Sequence, residues 1–140
     1  MRRIALISCV SKKKDFATTA ENLYDSPLFK YALQYAKMCK PDKIYILSAR
    51  YGLLEVDDQI KLYNTTLNDM SSKERKTWSK LVLEQMLEKG IDLRKDHFTI
   101  LAGNNYRKYL LEHMAHFDLP LEGKRIGEQV SYLKGAVSNV

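Results

Sequence analysis

The most chemically loaded stretch of the chain is Ser8-Cys9-Val10-Ser11-Lys12-Lys13-Lys14. A thiol beside several ammonium groups has its pKa drawn below the ~8.5 of free cysteine, which favours the nucleophilic thiolate. Cys9 has a second reading as a small buried core residue, because neither His nor a carboxylate adjoins it in sequence. Lys12 and Lys13 need little geometry to attract phosphate, since ammonium groups act as point charges. Arg50-Tyr51-Gly52 adds a cation, an aromatic face for a base and a glycine that lets a ligand come close. Tyr63-Asn64 offers a second stacking face and an amide to read a base edge. Gly103-Asn104-Asn105-Tyr106-Arg107 opens a helix, where backbone N–H groups and the helix dipole favour an anion, but without the glycine spacing of a dinucleotide or P-loop motif.

Carboxylates near these segments are Asp25, Asp57, Asp58 and Glu128, and a carboxylate can orient or activate water. His113 and His116 stand at i, i+3 on an expected helix without a third ligand at suitable spacing, so neither a metal nor a cofactor is expected. The chain also lacks a Ser-His-Asp order and a G-x-S-x-G turn.

The elements that position these groups follow from hydrophobic periodicity. Residues 3–8 and 43–48 are short, near-continuous apolar runs bounded by polar residues, the pattern of strands buried on both faces. Ser26-Pro27 starts a helix that runs to about Cys39 and ends before Pro41. From Ala49 to Asp69 no period holds, which predicts a loop of about twenty residues, a length often tied to function. Ser71-Ser72-Lys73-Glu74 is a capping box, and the helix it opens closes at Gly90. A third strand follows at residues 97–102, then a helix carrying Tyr109, Leu110, Leu111 and Met114, and a short final helix after Gly127. A fourth, edge strand at residues 117–119 is in tension with the Pro120 that follows.

Strands alternating with helices predict an α/β fold, a three-layer Rossmann-like sandwich with a mostly parallel sheet of three to four strands, formed by residues 1–140 as a single domain. In such sheets ligands bind beyond the carboxyl ends of the strands. That rule gathers Ser8-Cys9, Ser48 to Gly52 and Ala102 to Asn104 on one edge.

Composition sets the outer bounds. The chain has 140 residues, 45% hydrophobic and 29% charged, which suits one globular core and excludes a low-complexity array. No apolar run approaches the ~20 residues needed to cross a bilayer. Two cysteines in unlike settings argue against a disulfide framework and for a reducing, cytoplasmic location. The net charge of +6 is concentrated, since residues 1–50 hold ten basic and four acidic side chains, which points to a polyanionic or phosphorylated partner.

Several segments together resemble a bacterial and phage domain family of unknown function related to the YaaA-like proteins. The resemblance rests on Ser8-Cys9 with Lys12 and Lys13, on Asn22-Leu23-Tyr24-Asp25-Ser26-Pro27-Leu28-Phe29, on Ile46-Leu47-Ser48-Ala49-Arg50-Tyr51-Gly52-Leu53 and on residues 60–67. Leu101-Ala102-Gly103 with Tyr106, and Leu119-Pro120-Leu121-Glu122-Gly123 leading to Ile126-Gly127-Glu128-Gln129, complete it. The chain departs from that pattern at Val56 and Leu62, where similar chains have proline, and at Asn64, where they have aspartate. More distantly, the Cys/Lys segment and the Ser-x-x-x-Gly-Leu loop of residues 48–53 resemble the core domain of archaeosine synthase, whose fold is similar to uracil-DNA glycosylases.

The resemblance implies nucleobase or nucleic-acid chemistry, and the leading expectation is a nucleobase- or nucleotide-modifying enzyme, a glycosylase-like hydrolase, whose partner is a nucleic acid or nucleotide and not a membrane. Its candidate catalytic residues are Cys9, Asp57 and Glu128. Its candidate substrate or phosphate ligands are Ser8, Lys12, Lys13, Ser48, Arg50, Tyr51, Gly52, Tyr63, Asn64, Gly103, Tyr106 and Gln129. The alternative is a non-catalytic nucleic-acid-binding domain acting through its basic first third.

Overall fold

The structure is a computed structural model that describes residues 2–8, 18–19, 27–60 and 67–138. Strand β1 (Arg3–Ser8) is followed by β2 (Thr18–Thr19), helix α1 (Pro27–Met38), β3 (Lys43–Ser48), β4 (Gly52–Glu55) and β5 (Gln59–Ile60). A single 3-10 turn (Leu67–Asp69) leads to α2 (Ser72–Glu88), β6 (His97–Leu101), α3 (Asn104–Leu111), β7 (His116–Asp118) and α4 (Ile126–Ser138).

Five strands form one sheet in the order β4-β3-β1-β6-β7, and β2 pairs with β5 in a separate two-stranded ribbon. β1 runs parallel to β3 and to β6, and β7 runs parallel to β6. Only β4 is reversed, paired antiparallel to β3 with Ser48 opposite Gly52 and Tyr45 opposite Glu55. The expected three to four strands become five because part of the expected loop from Ala49 to Asp69 is this hairpin. Gly52, at φ 78°, supplies the left-handed turn, and the short Leu53-Leu54 pair then buries one side chain on each sheet face, which leaves no alternation to read.

Side chains alternate across the central strands and divide the core into two layers. Ile4 and Leu6 of β1, Tyr45 and Leu47 of β3, and Phe98 and Ile100 of β6 pack with Trp78, Val82 and Met86 of α2 and with Tyr106 and Leu110 of α3. Ala5, Ile7, Ile46 and Leu101 pack on the other face with Phe29, Ala32 and Ala36 of α1 and with Leu133 of α4. Helices therefore cover both faces. The chain moves from β1 to β3 in one direction, and from β3 to β6 and on to β7 in the other, so a single crossover hand requires α1 on one face and α2 and α3 on the opposite face, as observed.

The helix boundaries show their chemistry. The capping box is formed, with Ser71 Oγ accepting from the Glu74 amide at 3.2 Å and Glu74 Oε1 accepting from the Ser71 amide at 3.1 Å. α3 stops at Leu111, so His116 lies on β7 and not one helical turn from His113, which corrects the shared helix expected for the two. Among the described residues, no helix is long and apolar enough to cross a membrane.

Candidate functional site

The register places Ser8, Leu47 and Ser48 together at the carboxyl edge, and Ile7 beside Leu101, so the ends of β1, β3 and β6 share one rim. The chain leaves β1 for β3 on one side and later crosses to β6 on the other. The gap between the ends of β1 and β6 is thus the switch point at which open parallel sheets receive ligands.

A cavity of about 190 Å³ opens there, lined by Ser8, Leu28, Ala32, Asn68, Leu101, Ala102, Gly103, Leu121, Ile126 and Gln129. Its walls are largely apolar, with a hydroxyl and two amide side chains among them. Three helices begin at it. Leu28 is in the first turn of α1, Gly103 is the N-cap of α3 and Ile126 is the first residue of α4. Each start leaves amide N–H groups outside the helical ladder and carries the positive end of a dipole, so the three together favour negative charge. Gly103 brings no side-chain cap to α3, which keeps that backbone open to a ligand.

The supporting contacts fix this rim. Asn105 Nδ2 donates to Asn68 Oδ1 at 2.7 Å and ties the 3-10 turn to the start of α3. Gln129 Nε2 donates to the Lys124 carbonyl at 2.9 Å, and Glu128 Oε1 accepts from the Arg125 amide at 3.2 Å, which caps α4. Arg107 Nη1 reaches the Ala102 carbonyl at 3.3 Å, behind the end of β6. Its Nε is buried and makes no hydrogen bond among the described residues.

Of the residues named from sequence, Ser8, Gly103 and Gln129 line this cavity together. Ser48 is buried at the same edge, where its Oγ accepts from the Tyr51 amide at 3.1 Å and its carbonyl accepts from Trp78 Nε1 at 2.8 Å. Gly52 forms the β3–β4 turn, and a Cβ there would run into Gln85 Oε1. Tyr51 is half-buried with the Arg50 guanidinium 5.5 Å from its ring centroid. Arg50 lines a separate shallow groove with Lys73, Thr77 and Trp78. Tyr106 is a core residue, 1% exposed and edge-on to Trp78 with centroids 5.7 Å apart.

Asp57 is not at the crevice. Because β4 runs backwards along β3, Glu55 lies opposite Tyr45 and bonds Lys43 Nζ at 2.9 Å, and Asp57 follows it at the amino edge of the sheet. Glu128 is exposed and does not line the cavity, although Ile126 and Gln129 on either side of it do. Cys9, Lys12, Lys13, Tyr63 and Asn64 lie outside the described residues.

Leu28, Asn68, Leu121 and Ile126 were not legible as site residues. The signal that finds Leu28 and Ile126 is topological: a helix that follows a parallel strand and returns antiparallel to it starts at the carboxyl edge. Any first-turn residue of such a helix is therefore a rim residue.

A family model described as a family of unknown function, DUF6884, matches residues 4–135. No curated protein and no solved structure matches the chain.

Proposed function

Since the chain belongs to the DUF6884 family of unknown function, its chemistry has to be read from its own geometry, and we propose that it binds and modifies a nucleobase or nucleotide in the crevice between β1 and β6. The observation that carries this reading is the convergence of three helix starts on one small, largely apolar cavity at the switch point. A planar base suits the apolar walls, with Ser8, Asn68 and Gln129 to hydrogen-bond its edge, and a phosphate suits the helix starts. The Rossmann-like layering and the resemblance of the Ser8-Cys9 and Ser48-to-Leu53 segments to base-modifying proteins favour the same substrate class.

The reaction in this reading is hydrolytic release of a base. Water adds its hydroxyl to the sugar carbon as the carbon–nitrogen bond breaks, and the departing base takes up a proton. Glu128, which caps α4 beside the lining residue Gln129, is the carboxylate we assign to orienting the water. The enzyme would take its base from single-stranded, damaged or modified nucleic acid, where extrusion costs least.

Calorimetric titration with nucleosides and nucleoside monophosphates, alongside base release from a panel of modified DNAs and RNAs, tests the proposal. The expected result is binding that Ile126→Trp abolishes by plugging the mouth, since Ile126 is 62% exposed and its replacement leaves the core intact. Glu128→Gln should retain binding and slow base release by roughly 10²–10⁴-fold. Equal binding by the Ile126→Trp protein, or no binding by the parent, overturns the assignment.

A further inference from the structure

On the face of the sheet covered by α2 and α3, a groove of about 580 Å³ separates the two helices. From α2 it takes Lys76, Ser79, Lys80 and Leu83, one helical stripe, and from α3 and the residues after it Tyr109, Glu112 and His113. Two features mark it as more than a gap between helices. Tyr109 is flanked by ammonium groups, with Lys76 Nζ and Lys108 Nζ each 5.5 Å from its ring centroid. Ser79 is 2% exposed, yet its Oγ has no hydrogen-bond partner among the described residues. A helical hydroxyl normally bonds back to the preceding turn, as Thr77 Oγ1 does to the Lys73 carbonyl at 3.1 Å. A buried hydroxyl left unpaired is destabilising, and an acceptor atom entering the groove removes that cost.

We infer that this groove binds single-stranded nucleic acid. Its chemistry is that of a polymer alternating anions with flat rings. Lys76, Lys80 and Lys108 supply the positive charge for phosphates, Tyr109 supplies a stacking face, and Ser79 donates to a phosphate or sugar oxygen. The lysines are exposed and swing from the tyrosine to the phosphates on either side of a stacked base. A duplex hides its base faces and cannot use Tyr109. The groove is distinct from the crevice, with no lining residue in common, and Tyr109 lies six residues along α3 from Gly103, about 9 Å of helix axis. The inference stands on the groove alone and does not depend on the chemistry assigned to the crevice.

The test is fluorescence anisotropy of a labelled oligothymidylate with the intact chain across a salt series. The parent should bind the single strand, prefer it to a duplex of equal length, and lose affinity with a log–log salt slope of about −2, as three neutralised phosphates require. Replacing Lys76, Lys80 and Lys108 by Gln, and separately Tyr109→Leu, should each raise Kd roughly tenfold or more with unchanged circular dichroism. Ser79→Ala, which keeps the lysines and the ring, should raise Kd by a few fold. Unchanged affinity in the folded triple variant, or equal affinity for duplex, overturns the inference. The Ile126→Trp protein separates the two sites: if it still binds the oligonucleotide but no nucleotide, the groove stands by itself, and if nucleotide binding was absent from the start only the crevice reading falls.

Discussion

Asp96 shows how much one side chain can hold at the residue scale. It is 4% exposed and accepts the Arg2 amide at 3.0 Å and the Asp92 amide at 2.9 Å, with Arg2 Nη2 3.5 Å from its second oxygen. Burial alone would raise its pKa, but the two amides and the Arg2 guanidinium outweigh it and hold the carboxyl below its usual value. A depressed folded pKa means that the stabilisation is complete above the ordinary aspartate pKa of about 4 and is lost as pH falls from there through the folded value. Asp96→Asn should therefore cost about 1–2 kcal/mol near neutrality, and its deficit should shrink below about pH 4 in urea unfolding at a series of pH values. A deficit that stays constant to acid pH would mean that the charge is not what the clamp uses. This role could not be seen in the sequence, where Asp96 is one of four charged residues among Asp92, Arg94, Lys95 and Asp96 and only the fold brings Arg2 to it. Ser8 and Gly103 were legible for the opposite reason, since each is fixed by the end of a strand that its own sequence declares.

At the scale of elements, the contact between α2 and the β3–β4 hairpin decides whether the last strand of that edge forms. Gln85 Oε1 accepts from the Leu53 amide at 2.8 Å and its Nε2 donates to the Tyr51 carbonyl at 3.1 Å, so one side chain closes the turn from outside. Gly52 leaves the space for it. Gly52→Ala combines a strained φ with a collision against that amide and should destabilise by about 1–3 kcal/mol. Gln85→Ala, which strips both bonds, should cost a similar amount. The double variant should lose less than the sum by chemical denaturation, because removing Gln85 relieves the collision, and strict additivity would refute the shared contact. Strands β1, β3 and β6 and the helices from Pro27 and Ser71 were readable because their runs are long enough for a period to emerge. β4 was not, because four residues with adjacent leucines carry none, and with it went the position of Asp57, whose side of the sheet depends on the hairpin turning back.

For the whole molecule, the strand order places β1 at the centre with parallel neighbours on both sides, and its residues 4–7 are at most 1% exposed. Its amides have no route to solvent short of global opening. The edge strand β7 has three exposed residues and, among the described residues, pairs with β6 alone. Native-state hydrogen exchange should find β1 protected to the full unfolding free energy and β7 exchanging through smaller openings, and equal protection of the two would contradict this ranking. The same layout frames the crevice: its floor is the end of the central strand, and its rim is made of helix starts anchored by two separate core layers.

The bond between the indole of Trp78 and the carbonyl of Ser48 has a practical consequence, because Trp78 is the sole tryptophan of the chain. The protein carries a built-in optical gauge, an emitter buried at 5% exposure with its polar edge pinned to the last residue of β3. Light absorbed there reports on the seating of α2 and on the carboxyl edge of the sheet at once, so the rim can be watched in solution without attaching any dye.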